Sequence, residues 1–500
     1  MGMSKRALNK FNEWKATLGD NELEMLNGYF KDFHQRCLIS KSDVRKIRED
    51  IEKTILYYIE NGFSLDEALK LLDPTNFGGF YARPSLLWFP LDDSAKIYPM
   101  SLEHDSMPVF RLSAYMKTDV VKEILQMALT FTIKRFPSFA TTLKKGVFWH
   151  YLDTTKRRFV VSEENDIPCR PLKVGRSGSQ SFRVIYYKNR ISVEFFHVLT
   201  DGSGGMVFLK ALVSEYVRLL GANIKELGSI WNVNDTPEIE ETTNEFSNRV
   251  HSEATSGLIN KRVLQMNGRL TKVKPNQIIH FNVNSYKLKE VAKKYNTTVT
   301  SYILALMFIA IKKATDSLNG DVSIQVPVNM RKFYPSKTVR NFAMYCGVKL
   351  DIADIKTVDD LVTIISEQLK EKASKEKMSE MVTSANKLVR SIKLIPLFIK
   401  LPIAKKLYGF LGDQAFTSTL SNLGVIDMPE EYKNYVSSMD FVLGTAPNNR
   451  AIIGMVTYNE TTTISISKMT KDPTFEEKLY ELLLKDELEV VVEGCGMCEN

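Results

Sequence analysis

The chain has 500 residues, which is too long for a single compact core and predicts two or more domains. Its hydrophobic share of 44% and charged share of 25% are ordinary for a globular protein and exclude a largely disordered chain. A net charge of +8 suits an anionic ligand or an anionic membrane surface. Nucleic acid is a poorer fit, because the sequence has no dense Lys/Arg tract and no base-stacking motif.

Five sparse cysteines predict a reducing compartment rather than a disulfide framework, so the cytoplasm is the expected location. Cys495-Gly-Met-Cys498 has CxxC spacing, but no second Cys or His pair lies near it, and free thiols are favoured over a metal or redox site. No metal site is predicted elsewhere. The longest apolar run, residues 303–311, spans about half a bilayer, so no transmembrane helix is predicted.

The N-terminal part, residues 1–75, is predicted to be a helical extension that carries no catalytic groups. Its last helix is expected to begin at Ser64, where Glu67 completes a capping-box pattern. Proline, glycine and aromatic residues then cluster over residues 74–90 and mark a domain boundary.

Residues 76–231 are predicted to form a first α/β lobe. Thr118 and Asp119 are expected to cap a helix over residues 120–136, which Pro137 ends. The remaining predicted elements of this lobe are strands over 107–116, 182–187 and 190–196 and a helix over 206–220.

Residues 232–256 are polar and acidic, and they are predicted to be a linker before a second lobe, residues 257–500. A strand followed by a long helix opens both lobes, which suggests that the two are similar. The elements predicted in the second lobe are a strand over 278–283, helical material over 288–313 broken near Asn296, a hairpin around Asn459, a helix over 474–485 and a strand over 488–492.

The most informative segment reads Phe195-Phe-His-Val-Leu-Thr-Asp-Gly-Ser-Gly-Gly205. Side chains alternate along a strand, so His197 lies at a strand end on the otherwise apolar face of Phe195. Histidine titrates near neutral pH and suits a general base, provided that one ring nitrogen stays unprotonated. A local backbone carbonyl could fix that tautomer. The alternative is a histidine of the core beside a glycine-rich turn.

This segment resembles the HxxxDG signature of the superfamily that contains chloramphenicol acetyltransferase, peptide-synthetase condensation domains and alcohol acetyltransferases. Where many members have a first histidine, this chain has Phe196. Further stretches resemble the family in the family's order, closest to the alcohol acetyltransferase branch: Gly146-Val-Phe-Trp-His-Tyr-Leu152, Val326-Pro-Val-Asn-Met-Arg331 followed by Arg340-Asn-Phe342, and Ser421-Asn-Leu-Gly424.

The resemblance implies an α/β fold in which two chloramphenicol-acetyltransferase-like lobes form a V around a central tunnel. His197 would stand at the junction, while Asp201, followed by Gly202, would pair with an arginine, Arg331 first and Arg340 second. An acyl-CoA co-substrate and an alcohol or amine acceptor are implied, with no bound cofactor. Substrate or oxyanion contacts are expected from Ser421, Asn422 and Asn329. For Asn422 a turn role before Gly424 is nearly as well supported, and for Arg331 a solvated loop charge is the alternative.

Residues 387–411 combine six basic residues with Leu, Ile and Phe, and contain no acidic residue. This composition predicts a peripheral contact with an anionic membrane surface or a tunnel mouth for a lipid-like acceptor. An ordinary amphipathic helix with a solvated basic face fits about as well.

Three functions remain open at this stage. The leading one is an acyl-CoA-dependent O- or N-acyltransferase with His197 as general base. The second is a stand-alone condensation-type enzyme that takes its acyl group from a carrier protein. The third is a member of the family that binds a ligand without turnover, which the loss of the first histidine permits and the retention of His197, Asp201 and Gly202 disfavours.

Overall fold

The computed structural model describes residues 2–82, 87–101, 107–155, 157–174, 179–253, 262–402, 415–444 and 448–496. Its α-helices are α1 (Gly2–Lys15), α2 (Asp20–Arg36), α3 (Lys41–Glu60), α4 (Leu65–Leu71), α5 (Lys122–Ile133), α6 (Gly202–Leu219), α7 (Glu245–Arg249), α8 (Ser285–Lys294), α9 (Val299–Lys313), α10 (Val358–Lys372), α11 (Lys375–Ser391) and α12 (Thr474–Lys485).

The strands are β1 (Trp88–Pro90), β2 (Val109–Met116), β3 (Thr141–Lys145), β4 (His150–Thr154), β5 (Val161–Glu163), β6 (Phe182–Tyr187), β7 (Arg190–Phe196), β8 (Gln277–Asn284), β9 (Asp321–Asn329), β10 (Ala343–Asp351), β11 (Ser418–Val425), β12 (Val436–Leu443), β13 (Ala451–Tyr458), β14 (Thr461–Lys468) and β15 (Val490–Gly496). They form two large sheets and a small one with the order β1-β4-β3.

The first lobe is built on a sheet with the order β12-β2-β7-β6-β5. Aromatic side chains bury one of its faces beneath α6, where Phe195 lies 5.9 Å from the ring of Phe208 and 5.6 Å from that of Phe139. β6 and β7 are joined by a tight turn at Lys188, whose φ is +48°. The predicted strands of this lobe are therefore confirmed.

The second lobe is built on a sheet with the order β10-β9-β11-β13-β14-β8-β15. Its hydrophobic core is separate from that of the first lobe and includes the buried face of α9. The predicted break near Asn296 separates α8 from α9, and the predicted hairpin at Asn459 joins β13 to β14; both residues have positive φ, of +51° and +53°. The chain thus has two sheet-rich lobes, as the sequence predicted.

Strand β12 links the lobes. It follows β11 of the second lobe in the chain, yet it pairs with β2 of the first lobe in antiparallel register, with Phe441 opposite Leu112. The Ser467 hydroxyl of β14 donates to the backbone oxygen of Leu443 at 2.5 Å, which holds β12 against the second sheet as well. Part of the second-lobe segment therefore completes the first-lobe sheet.

The N-terminal helices belong to the first lobe in packing. Their buried side chains share one hydrophobic cluster with it. The Tyr58 hydroxyl donates to the Leu219 oxygen at 2.6 Å, and Arg158 forms a bidentate ion pair with Asp50. The Ser64–Glu67 capping box is present as predicted.

Several local predictions are corrected. α5 begins at Lys122 without a side-chain cap from Thr118 or Asp119; instead the Val121 N–H donates to the Tyr216 hydroxyl at 2.9 Å. The stretch Gly146–Leu152, which resembles an aromatic strand of the family, is extended only from His150, because residues 146–149 form the turn between β3 and β4.

The described part of the acidic stretch, residues 232–253, contacts both lobes. Buried Glu241 pairs with Arg135 of the first lobe through two hydrogen bonds, and its backbone oxygen accepts from the Val339 N–H of the second lobe at 2.9 Å. Cys495 lies in β15, whereas Cys498 falls outside the described residues. Within the described ranges, no helix combines the length and apolar character needed to span a bilayer.

Candidate active site

His197 follows the last residue of β7, and its backbone N–H donates to the Pro108 oxygen at 2.9 Å. The imidazole lies between two aromatic rings. Tyr98 stacks on it with centroids 4.7 Å apart, and Phe110 meets it edge-on at 5.2 Å. The side chain is thereby fixed at the strand end, as the alternation of the strand predicts.

The Asn341 side chain of the second lobe bridges two atoms of His197. Its Nδ2 donates to the His197 backbone oxygen at 2.9 Å, and its Oδ1 lies 3.0 Å from the ring Nδ1. The reverse amide orientation would set one carbonyl oxygen against another. Oδ1 therefore accepts from a protonated Nδ1, which leaves Nε2 of the neutral ring as a proton acceptor.

Burial lowers the pKa of His197 below its usual 6.5, outweighing the hydrogen bonds of its own backbone and of Asn341 and the charge of Asp201, all of which raise it. Burial disfavours the charged imidazolium more than these partners favour it. The ring is thus neutral at neutral pH, as a general base must be before it takes a proton.

Asp201 caps α6 and joins the lobes. One carboxylate oxygen accepts from the Gly204 N–H at 2.9 Å. The other accepts from Arg331 Nη1 at 2.8 Å and from the Phe342 N–H at 2.7 Å. Arg331 also donates to the backbone oxygens of Thr338 and Arg340, at 2.8 Å and 2.7 Å. The first sequence candidate, Arg331, is thus the arginine that lies against Asp201.

Arg340, the second candidate, lies against a different carboxylate. Its Nη2 is 3.1 Å from Asp92 of the first lobe, and both side chains are buried. The second oxygen of Asp92 accepts from the Asn341 N–H at 3.2 Å. Burial raises the pKa of Asp92 to about 6, although Arg340 and the Asn341 N–H lower it.

Two first-lobe carboxylates therefore hold consecutive backbone N–H groups of the second lobe, those of Asn341 and Phe342. Each carboxylate also pairs with an arginine. Asn341, the first of these two residues, also presents its side-chain amide to His197. We call this arrangement the interlobe clamp: Asp92, Asp201, Arg331, Arg340 and Asn341.

The motif glycines let the lobes approach. A Cβ on Gly204 would lie 2.1 Å from the Val339 backbone oxygen, and one on Gly202 would lie 2.8 Å from the side chain of Leu423 on β11. No side chain fits at Gly204 without moving that backbone. Gly202, predicted as a site residue, is thus a point of close packing.

The polar candidates of the second lobe differ in their surroundings. Asn329 donates to the Ser203 hydroxyl at 3.1 Å and accepts from the Arg331 N–H at 3.0 Å. Asn422 accepts from the Gly424 N–H at 2.7 Å and donates to the Thr300 hydroxyl at 3.1 Å. Gly424 has a φ of +76°, so Asn422 stabilises a turn here, which is the alternative to an oxyanion contact.

Ser421 and Asn422 lie on opposite faces of β11. The pairing of β11 with β13 is regular through Asn422, so neighbouring side chains alternate, and Asn422 faces Thr300 of α9. Ser421 therefore faces away from α9. Among the described residues, neither Asn329 nor Asn422 forms a hydrogen bond with His197.

Sequence reasoning missed two members of the clamp. Asn341 directly follows the candidate Arg340 in the sequence, and Asp92 lies just after the proline-rich boundary at residues 74–90. Among the described ranges, no three His, Cys, Asp or Glu side chains gather closely enough to hold a metal ion.

The sequence model of the alcohol acetyltransferase family matches residues 177–447, which contain the motif, Asn341 and Ser421. This chain belongs to the alcohol acetyltransferase family. The resemblance drawn from the motifs is therefore confirmed, and transfer of an acyl group is the family's activity. No curated protein matches the chain.

Solved structures share the fold at low sequence identity. TRI101 of F. sporotrichioides, complexed with coenzyme A and T-2, is 11% identical with a TM-score of 0.55, covering 81% of this chain and 99% of that one. TRI3 trichothecene 15-O-acetyltransferase from Fusarium sporotrichioides is 10% identical, with a TM-score of 0.52 over 80% of this chain and 94% of that one.

Polyketide synthase associated protein 5 from Mycobacterium tuberculosis is 11% identical, with a TM-score of 0.53 over 79% of this chain and 96% of that one. These likenesses support the two-lobed fold.

Proposed function

We propose that this protein transfers an acyl group from an acyl-CoA thioester to an alcohol or amine, with His197 as the general base. The observation that carries the proposal is the Asn341 bridge, which leaves Nε2 of a neutral imidazole free to accept a proton. Family membership supports acyl transfer, and the coenzyme A bound to TRI101 supports CoA as the carrier.

In the proposed step, Nε2 takes the proton of the acceptor hydroxyl or amine while that atom attacks the thioester carbonyl. The carbon–sulfur bond then breaks, and the CoA sulfur receives the proton from the imidazolium. We propose Ser421 as the donor to the oxyanion, since its hydroxyl lies on the face of β11 that is turned away from α9. Asp201 and Arg331 hold the lobes together and do not touch the reacting atoms.

We also propose the domain limits derived from the sequence: an N-terminal extension of residues 1–75, lobes of residues 76–231 and 257–500, and a linker of residues 232–256. Strand β12 is then an element exchanged from the second lobe to the first. The proposed location is cytoplasmic, supported by buried free thiols at Cys37, Cys169 and Cys346, with peripheral membrane contact through residues 387–411. Residues 403–411 of that stretch lie outside the described residues.

The test is thiol release from a panel of acyl-CoAs offered with alcohols and amines. We expect His197→Ala to lower turnover by ~10²–10⁴-fold, the usual contribution of a general base. His251→Ala, at an exposed histidine, is the matched control. Turnover of His197→Ala within twofold of wild type would remove His197 from the chemistry.

Calorimetry with CoA separates the alternatives. We expect CoA to bind, with an affinity that falls as salt screens the basic protein. Transfer from an acylated carrier protein without CoA binding would favour the condensation-type function, which the fold also accommodates. Ligand binding without any transfer would favour the non-catalytic function.

A further inference from the structure

Two chain segments that are distant in sequence meet at one surface. The β3–β4 turn, residues 146–149, lies against residues 394–400. The Leu397 N–H donates to the Val147 oxygen at 2.8 Å, and Lys400 Nζ donates to the Phe148 oxygen at 3.0 Å. Lys400 also lies 3.5 Å from the centroid of the Trp149 ring. We call residues 146–149 and 394–399 together the apolar tip.

The apolar tip exposes large hydrophobic side chains from both segments. Val147 is 71% exposed, Leu394 78% and Phe398 74%, and Phe148 and Ile399 are also exposed. Contiguous apolar patches on a soluble protein usually mark a binding surface. The two segments are held together, because Leu397 is buried and its backbone N–H is hydrogen-bonded to the facing turn.

Positive charge surrounds the apolar tip. Four exposed cations without an acidic residue in their segments flank the tip: Lys145, Lys387, Arg390 and Lys393. Lys144 is also exposed but pairs with Asp153 at 3.3 Å. Beneath the tip, Lys96 and Lys400 both lie over Trp149, where Lys96 pairs with Asp93 and Lys400 is buried. An excess of positive charge around bulky apolar groups is complementary to an anionic bilayer, where exposed cations meet headgroups and apolar side chains enter the boundary.

A 3₁₀ turn, Ala95–Ser101, connects the apolar tip to His197: Lys96 contacts Trp149 of the tip, and Tyr98 stacks on the His197 ring. The tip and the proposed base therefore contact the same turn.

We propose that the apolar tip docks the enzyme on an anionic phospholipid bilayer and that its acceptor is a membrane-partitioned alcohol. This inference rests on the proposed acyl transfer and extends the membrane contact expected of residues 387–411. It adds a second arm from the first lobe, so docking requires both lobes. The side chains enter only shallowly, because the arm at 146–149 is a turn and the arm at 394–399 becomes helical only at Leu397.

The binding test uses cosedimentation with phosphatidylcholine vesicles, with and without phosphatidylglycerol. We expect wild type to bind the anionic vesicles and the double variant Val147→Glu/Phe398→Glu to bind about 30-fold more weakly, since each charge near the surface contributes about fivefold. Both replaced side chains are exposed, and Val147 contributes only its backbone oxygen to the contact with Leu397. Leu318→Glu, at a residue 82% exposed between α9 and β9, is the matched control and should bind as wild type does.

The activity test compares a short water-soluble alcohol with a long-chain alcohol dispersed in the anionic vesicles. We expect the double variant to lose at least about fivefold more activity on the vesicle-borne alcohol than on the soluble one. His197→Ala should still bind vesicles, so failure of acyl transfer is distinguishable from failure of docking. Equal binding by the double variant and Leu318→Glu would overturn the proposal. Wild type remaining in solution with both vesicle types would also overturn it and assign the tip to a protein partner.

Discussion

Removal of the Asn341 amide tests whether the second lobe sets the tautomer of His197, the proposed base. In Asn341→Ala, His197 loses the acceptor at Nδ1 and its backbone oxygen loses a donor, at 3.0 Å and 2.9 Å. Each hydrogen bond contributes about 0.5–1.5 kcal/mol net, so the loss is about 1–3 kcal/mol. If that energy selects the reactive tautomer, kcat falls by about 5- to 150-fold.

The pH profile separates this role from a general loss of structure. Burial sets the pKa of His197 below 6.5, and activity needs the neutral ring, so the acid limb of kcat/KM in wild type should lie below pH 6.5. Asn341→Asp keeps an acceptor at Nδ1 but adds a negative charge, which favours the imidazolium and should move the limb to higher pH. Asn341→Ala removes a bond that raises the pKa, so its limb should not move upward.

The assay is CoA release as a function of pH, with thermal unfolding measured on each variant. Asn282→Ala is the matched control, because it removes an amide that accepts from Thr463 in the second lobe, away from the base. Its kcat should stay within about twofold of wild type. An Asn341→Ala enzyme with unchanged kcat, or an Asn341→Asp enzyme with an unmoved acid limb, would refute the bridging role.

Three further outcomes are expected. Asp201→Asn should lower the free energy of unfolding in urea by ~3–5 kcal/mol, because it breaks a buried ion pair. Asp235→Asn, at an exposed position, should leave that free energy unchanged. A loss of rate without a loss of stability in Asp201→Asn would place Asp201 in the chemistry. Gly204→Ala should lower both melting temperature and activity, since its Cβ would lie 2.1 Å from a second-lobe oxygen. The control is Gly28→Ala on α2, where a Cβ meets open space; the folded protein should become more stable by about 0.5–1 kcal/mol in the same thermal melts. Ser421→Ala should lower kcat by ~10²-fold with little change in KM if its hydroxyl donates to the oxyanion, and an unchanged kcat would leave that donor unassigned.

Local patterns predicted those elements whose register depends on neighbours in sequence. The strands β6 and β7 and the helix α12 match their predicted limits, because alternation and helical periodicity report the buried face directly. The same reasoning failed at α5, where Tyr216 from a distant helix accepts the first free N–H and no local cap is needed. Strand β12 could not be placed in the first-lobe sheet, because its partner β2 is more than three hundred residues earlier.

The candidate site divides in the same way. The strand end and the turn that carry His197 and Asp201 are contiguous, so the motif alone located both. Asn341 and Asp92 act through contacts that close only when the lobes meet, and a single sequence gives no distance between residues 92, 197 and 341. The arginines were named because the family resemblance paired one with the motif aspartate, and only the structure divides Arg331 and Arg340 between two carboxylates.

If His197 acts as proposed, the interlobe clamp makes lobe assembly and activation of the base one event. Free histidine side chains interconvert between tautomers, and the Asn341 amide adds an acceptor from the second lobe to the hydrogen bond that the ring makes with its own backbone. That amide is positioned by the N–H groups of Asn341 and Phe342, which reach Asp92 and Asp201 only in the docked arrangement. A mutation that breaks either ion pair should therefore reduce both activity and the free energy of unfolding. A buried ion pair often adds little stability compared with well-packed apolar side chains of the same volume. The two pairs are therefore better explained by their effect on the register between the lobes, which positions Asn341 and so sets the tautomer of His197.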